Sequence, residues 1–291
     1  MALKNFHIVP ELLKPIRLQE YGVGLFDSTI TKSALKKVLK KQYITVNDAI
    51  ASSATFINGG ETIRLYIPEN IISKTKLILT LKILFEDDYL AIIHKPPGIL
   101  VSGYNFKTIA KALPQNLKPS NLIDATIPQP VHRLDYPTTG LLIIGKTSSS
   151  IRALNKLFEN KKIKKTYYAI TIGRMNKTGK ITTTIDNKPS TSIYNILESV
   201  YSKRFGILNL VKLKPKTGRK HQLRKHLTSI GNPILGDKDY AIDTLILNGK
   251  GLYLHAFSLK FIHPFTKEKI HIKDKLPDKF KKIFKNLTFN I

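Results

Sequence analysis

The sequence predicts an α+β fold, and three observations carry that expectation. Strand-like runs outnumber helical ones and do not alternate with them regularly. No G-x-G-x-x-G follows a strand and no P-loop is present, so a doubly wound nucleotide-binding sheet is a poor fit. At 291 residues and 42% apolar, the chain is long enough for one large core, or for a core domain plus a small accessory unit.

Residues 1–70 read as that accessory unit. A helix is expected over residues 34–41, with Thr31 or Ser33 as its cap. Leu35, Val38 and Leu39 form its apolar stripe, and Lys36, Lys37, Lys40 and Lys41 occupy the other face. YITVNDA is a short strand and a turn, and Asn58-Gly59-Gly60 marks a turn between two further strand-like runs. Residues 71–80 read as a linker, and residues 81–291 as the main domain.

The main domain opens with ILFEDDYLAIIHKP, two strands joined at Asp87-Asp88 and ended by Pro96-Pro97-Gly98. Residues 104–130 hold Pro114, Pro119, Pro128 and Pro130 with little periodicity and read as loop with a short helix. A polar cluster then precedes a short apolar strand over residues 141–144. Ile151, Leu154, Leu157 and Phe158 recur at helical spacing. KKTYYAITIG, TSIYNILESV and GILNLVKLKP follow as strands, then a helix over residues 221–230 stopped by Gly231, then the strand YLHAFSLKFIHP ended by Pro264.

Charge points to the partner. Lys and Arg number 48 against 20 Asp and Glu, a formal net charge of +28, which attracts polyanions such as nucleic acid and says nothing about fold. The absence of cysteine excludes disulfides, thiolate catalysis and Cys-ligated zinc, and fits a cytoplasmic location. No leader-like segment opens the sequence, no apolar run approaches the ~18 residues of a spanning helix, and no basic amphipathic helix with an aromatic face is evident. No membrane partner is expected.

Two polar clusters carry candidate chemistry. His132-Arg133-Leu134-Asp135 is followed by Pro137-Thr138-Thr139-Gly140, whose Pro and Gly hold a loop in one shape and present a single carboxylate. Thr217-Gly218-Arg219-Lys220-His221-Gln222-Leu223-Arg224-Lys225-His226 supplies cations, with His221 expected on one helix face with Arg224 and Lys225. From the residues alone, Asp135 is either a reactive carboxylate or one half of a structural ion pair with an arginine. The eight histidines show no H-E-x-x-H spacing, and His221 and His226 lie five apart, so no metal is assigned.

In family order, these motifs resemble the RluA-type pseudouridine synthases over about residues 80–265. HRLD is residues 132–135, continuing into Thr138-Thr139-Gly140-Leu141-Leu142. Leu84 to Asp88 and His94-Lys95-Pro96-Pro97-Gly98 match the opening strand pair and its K-P-x-G turn. Lys165-Thr166-Tyr167-Tyr168-Ala169, residues 218–226, the run from Gly231 to Tyr240, and Leu254-His255-Ala256 with His263-Pro264 complete the set. Tyr136, Thr139, Lys220 and Lys225 depart from the family's usual Arg, Ser, Thr and Val. Residues 1–70 resemble an S4 RNA-binding domain through residues 33–39, Ile44-Thr45-Val46-Asn47-Asp48 and Gly60-Glu61, with Asp48 in place of the usual Gly.

The resemblance implies a catalytic domain built on a mixed, largely antiparallel sheet, preceded by a small S4-like α/β domain. It implies isomerisation of uridine to pseudouridine in structured RNA, either large-subunit ribosomal RNA or transfer RNA. No cofactor is implied, because the N1–C1′ bond is exchanged for a C5–C1′ bond without redox or a group donor. Asp135 becomes the nucleophile, toward C1′ or toward the base ring. Arg224 pairs with Asp135. Tyr167 stacks on the uracil and assists at C5, with Tyr168 as the alternative should the strand phase differ by one. Leu223 and Leu254 line the apolar side, Arg133 fills the gap left by the flipped base, and His132, Arg219 and His221 complete the substrate contacts. The opposing readings are a non-catalytic RNA clamp and a structural ribosome-associated protein; the trio Asp135, Tyr167 and Arg224 argues for the enzyme. A monomer is expected.

Overall fold

The structure, a computed structural model, describes residues 1–29, 31–67, 77–241, 245–247 and 249–285. Two compact units result, Met1–Lys76 and Leu77–Ile291. Residues 71–76 of the expected linker lie outside the described residues.

The first unit runs β1 (Ala2–Ile8), β2 (Ile16–Arg17), α1 (Leu18–Tyr21), α2 (Lys32–Lys40), β3 (Ile44–Val46), β4 (Ala49–Ile50), β5 (Phe56–Ile57) and β6 (Thr62–Ile67). Thr31, rather than Ser33, caps α2, accepting the Ala34 N–H at 3.1 Å. Leu35 and Leu39 of α2 pack with Leu18, Ile44, Ile63 and Leu65 in this unit's core. One expectation changes here: β1 is an unforeseen strand that pairs with β6 at one edge of the sheet β1-β6-β3-β4. The Asn58-Gly59-Gly60 turn lies between two strands as expected, although β5 pairs with β2 and not with β6.

The second unit runs β7 (Lys82–Glu86), β8 (Leu90–Lys95), α3 (Ile109–Ala112), β9 (Ala125–Pro130), β10 (Thr139–Thr147), α4 (Ser148–Glu159), β11 (Lys164–Ile172), β12 (Thr178–Ile181), β13 (Ser192–Ser202), β14 (Gly206–Pro215), α5 (Gln222–Ser229), β15 (Leu254–Ile262), β16 (Lys269–Lys273) and α6 (Asp278–Lys281). Ten strands form one mixed sheet along the path β12-β13-β14-β11-β15-β10-β8-β7, with β9 added to β10 and β16 to β15. All pairings are antiparallel except β10 with β15.

Residues 125–130, expected as loop, are β9. Pro128 and Pro130 weaken the strand signal, yet proline is tolerated where a strand pairs on one side only. β10 is buried along its whole length, which explains its unbroken apolar run. Its Leu142 and Ile144 pack on one face with Ile93 and Ile109, while Leu141 and Ile143 pack on the other with Ile92 and Leu154 of α4.

One close approach fixes the entrance to β10. Gly140 has φ +113° and lies so near β15 that a Cβ there would stand 2.3 Å from the Ala256 carbonyl oxygen. Only glycine meets both demands. The residues just before Gly140 are thereby pinned beside Leu254 and His255.

Candidate active site

Asp135 sits in the short loop between β9 and β10, and that loop is tied down at several points. The His132 Nε2 accepts the Ile143 N–H at 3.0 Å, and its ring packs on Phe158 at 4.7 Å between centroids. Burial, reinforced by the Lys165 charge, drops the His132 pKa to about 3, so the ring is neutral and supports the loop as an acceptor. Leu134 is buried with Ile99 and Val101. The Thr138 N–H returns to the Asp135 carbonyl at 3.0 Å, and the Thr139 hydroxyl shares a 2.8 Å hydrogen bond with His255 Nδ1.

Lys95, which the sequence reading took only as part of a turn, is the loop's main anchor. Its side chain is fully buried, and its Nζ donates to the carbonyls of Pro96 at 2.9 Å, Tyr136 at 3.2 Å and Thr138 at 2.8 Å. Burial lowers its pKa to about 8 against the opposing pull of Asp135, so the ammonium is still the main form at neutral pH. The K-P-x-G run was the available signal; what it hid was that the ammonium turns inward.

The Asp135 carboxylate is about one quarter exposed, and none of its oxygens makes a hydrogen bond to the described residues. Two nitrogens approach without closing, Arg224 Nη1 and His221 Nε2, each at 3.8 Å. The expected Arg224–Asp135 pair is therefore a longer contact than foreseen. The buried guanidinium is engaged first with Asp237, Nε to Oδ2 at 2.7 Å and Nη2 to Oδ1 at 2.6 Å, and with Asp239 at 2.6 Å. The Tyr240 ring lies 4.9 Å beneath it.

His221 departs from the expected helix. It caps α5 in the left-handed conformation, φ +54° and ψ +26°, which a non-glycine residue rarely adopts. Its Nδ1 bonds the Tyr240 hydroxyl at 2.8 Å, which leaves Nε2 aimed at Asp135. Burial lowers its pKa, opposed by Asp135. Gln222 fixes the approach to α5, accepting from Thr217 Oγ1 and the Arg219 N–H and donating to Thr191 and Ser192. Lys225 does not share the site: it pairs with Asp186 at 3.0 Å. His226 bonds Ser190 and Ser192 instead.

A cavity of about 1560 Å³ opens over Asp135. His132, Arg133, Tyr167, Arg219, His221, Leu223 and Leu254 line it, while Arg224 stands behind its wall. Tyr167 faces it, whereas Tyr168 is buried with its ring 4.6 Å from Phe257. Burial and the Asp135 charge push the Tyr167 hydroxyl well above the ordinary phenol range, so it is a protonated donor. The cavity's rim is basic, with Lys161, Lys164, Lys212, Lys214, Lys216 and Lys260 among its residues. No cluster of three or more metal-ligating side chains occurs among the described residues. None of their helices is long and apolar enough to cross a membrane. In the first unit, Lys36, Lys37, Lys40 and Lys41 are all exposed on α2 and the residue that follows it.

The Asp135 carboxylate under a cationic rim, beside a protonated tyrosine and two leucines, is a site for chemistry on one unit of a polyanion. Residues 89–229 match the RNA pseudouridylate synthase family model. Ribosomal large subunit pseudouridine synthase D of Nitrosomonas europaea is 31% identical, with 93% of this chain and 84% of that protein aligned. Ribosomal large subunit pseudouridine synthase C of Rickettsia prowazekii is 31% identical over 90% of this chain and 94% of its own length. Among solved structures, human RNA pseudouridylate synthase domain containing 4 aligns at a TM-score of 0.55 and 28% identity, over 68% of this chain and 90% of that one. The chain belongs to the RNA pseudouridylate synthase family, and it is an isomerase.

Proposed function

We propose that the chain converts specific uridines of large-subunit ribosomal RNA to pseudouridine, with Asp135 as the nucleophile. The observation that carries this reading is the state of that carboxylate. It is fixed by its backbone, flanked by the Arg224 guanidinium and the His221 ring at 3.8 Å, and engaged by no hydrogen bond of its own among the described residues. Its oxygens are thus open to a reacting carbon.

The target uridine leaves its stack and enters the cavity, where Tyr167 stacks on the base and Leu223 and Leu254 close the apolar side. Asp135 attacks either C1′ or the ring. The N1–C1′ bond breaks, the base turns, C5 joins C1′, the bond to Asp135 breaks to return the carboxylate, and the proton on C5 is lost as N1 gains one. Because Tyr167 holds its proton, it donates rather than accepts, and the C5 proton goes to a carboxylate or to solvent. Arg224 balances the Asp135 charge, His221 and His132 hold the site's geometry, and Arg133 and Arg219 contact the RNA.

The residues before the catalytic domain, 1–70 joined by 71–80 to 81–291, serve as an S4-like RNA-binding domain. Lys36, Lys37, Lys40 and Lys41 are its phosphate contacts. The enzyme acts as a monomer in the cytoplasm. The test is to map pseudouridines in total RNA with and without the gene. Loss of one or more sites from large-subunit ribosomal RNA is expected. Loss confined to transfer RNA would move the substrate, and an unchanged map would favour a non-catalytic RNA clamp.

A further inference from the structure

β16 alternates strictly. Ile270 and Ile272 face the core beside Leu259 and Phe261, while Lys269, His271 and Lys273 are exposed on the other side. The register places these three against Ile262, Lys260 and Ser258 of β15. Lys260 and Ser258 in turn oppose Lys164 and Thr166 of β11. Lys164, Lys260 and His271 thus form one row across three strands, roughly 4.8 Å apart from strand to strand, and the next row ends in Lys273. His271 Nε2 is held by Ser258 Oγ at 3.2 Å. Burial and the charges of Lys273, Lys260 and Lys269 lower its pKa, as expected of a ring set among lysines.

None of Lys164, Lys260, Lys269 and Lys273 has a carboxylate within ion-pair distance among the described residues. The acids nearest in sequence are turned to other partners, Glu268 to Thr266 and Asp274 to His94. Left unpaired, such a set of charges is costly in like-charge repulsion. The row is also continuous with the catalytic cavity, since Lys164, Ser258, Lys260 and His271 line both.

We propose that this face of β11, β15 and β16 docks the phosphate backbone of the RNA strand flanking the target nucleotide. The inference rests on the RNA reading of the cavity and extends it to a defined track. Charge complementarity selects the occupant. A protein partner needs aromatic or apolar anchors, and Ile262 is the one large apolar side chain in these rows. Apart from the His271 ring, held by Ser258, the rows carry no aromatic side chain on which a base could stack, so the track holds backbone rather than bases.

The test compares the full-length wild type with Lys164→Ala/Lys260→Ala/Lys273→Ala, using a large-subunit ribosomal RNA transcript. A control, Lys118→Ala/Lys177→Ala/Lys203→Ala, removes the same charge from exposed lysines outside the track. The track variant should bind roughly tenfold or more weakly, and its slope of log affinity against log salt should shrink by about two to three, one counterion step per lost contact. The control should match the wild type in both affinity and slope. The double variant Lys269→Ala/Lys273→Ala, confined to the edge strand, should show a smaller loss of the same kind. Equal losses in track and control variants would overturn the proposal, as would unchanged affinity and slope in the track variant. A wild type that binds but forms no pseudouridine would instead count against the catalytic reading, while affinity and slope still decide this one.

Discussion

Arg224 and Asp237 form a two-point salt bridge inside the wall behind the cavity, and that bridge is what points the remaining guanidinium nitrogen, Nη1, at Asp135. The arginine is thus a positioned charge whose own geometry is set from behind. Arg224→Lys keeps the charge and loses the planar fork. It should lower stability by about 2–4 kcal/mol, approaching the cost of breaking a buried pair. The single-turnover rate should fall by at least about tenfold even in the folded fraction, because a misplaced charge of this kind is easily worth ~1.4 kcal/mol in the barrier. Thermal melting beside a tritium-release assay checks both; a stable, fully active Arg224→Lys would contradict the arrangement.

Asp135→Asn separates the two roles open to that carboxylate. With no hydrogen bond to lose and only 3.8 Å contacts, the change should alter stability by less than about 1 kcal/mol. Pseudouridine formation should vanish while RNA binding stays within a few fold. A marked drop in melting temperature with activity falling in proportion would make Asp135 a structural ion-pair member instead.

Lys95→Met removes the ammonium on which three carbonyls converge. Leaving buried carbonyls without a donor should cost at least about 2 kcal/mol. If Lys95 positions the Asp135 loop, the rate at saturating RNA should fall with little change in affinity. Loss of stability with a normal saturated rate would confine Lys95 to folding.

The buried neutral histidines set an acid limit. The His132 pKa falls to about 3 and that of His255 to about 4, both mainly through burial, against about 6.5 in an unfolded chain. Between those values the unfolded state binds protons that the native state refuses. Stability is therefore complete above about pH 6.5 and is lost as pH falls toward 3, at up to about 1.4 kcal/mol per pH unit for each group. His132→Gln, which keeps an acceptor for Ile143, should flatten the fall between pH 6.5 and 4.5 in denaturant melts. An unchanged slope would show that His132 is not one of the groups responsible.

What the sequence disclosed and what it hid divide along a physical line. The strands around the site were legible because β8, β10, β11, β14 and β15 are apolar runs bounded by breakers, and α4 shows its helical period. β9 was missed because Pro128 and Pro130 argue against a strand whose edge position alone permits them. β1 was missed because its partner β6 is remote in sequence, and β12 and β16 because they are short or charged strands. Asp135, Tyr167, His221, Leu223 and Leu254 could be placed from motifs. The Asp237 bridge, the inward turn of Lys95 and the left-handed His221 could not, since each is a relation between distant residues or a dihedral angle. Lys225 was misassigned because helical spacing does not reveal Asp186 waiting on the opposite side.

β10 and β11 follow one another in the chain, joined by α4, yet β15 lies between them in the sheet, pairing with both. β10 and β11 therefore cannot be joined in the sheet until β15, more than a hundred residues after β10, is present. The part of the cavity wall that Leu254 supplies does not exist before then. On a ribosome the reactive loop is synthesised early, but its pocket closes only when nearly the whole chain has emerged. Long-range insertions of this kind slow folding, since loop closure must precede any gain from contact. The same order of events means that a chain terminated before β15 would carry Asp135 without this pocket around it.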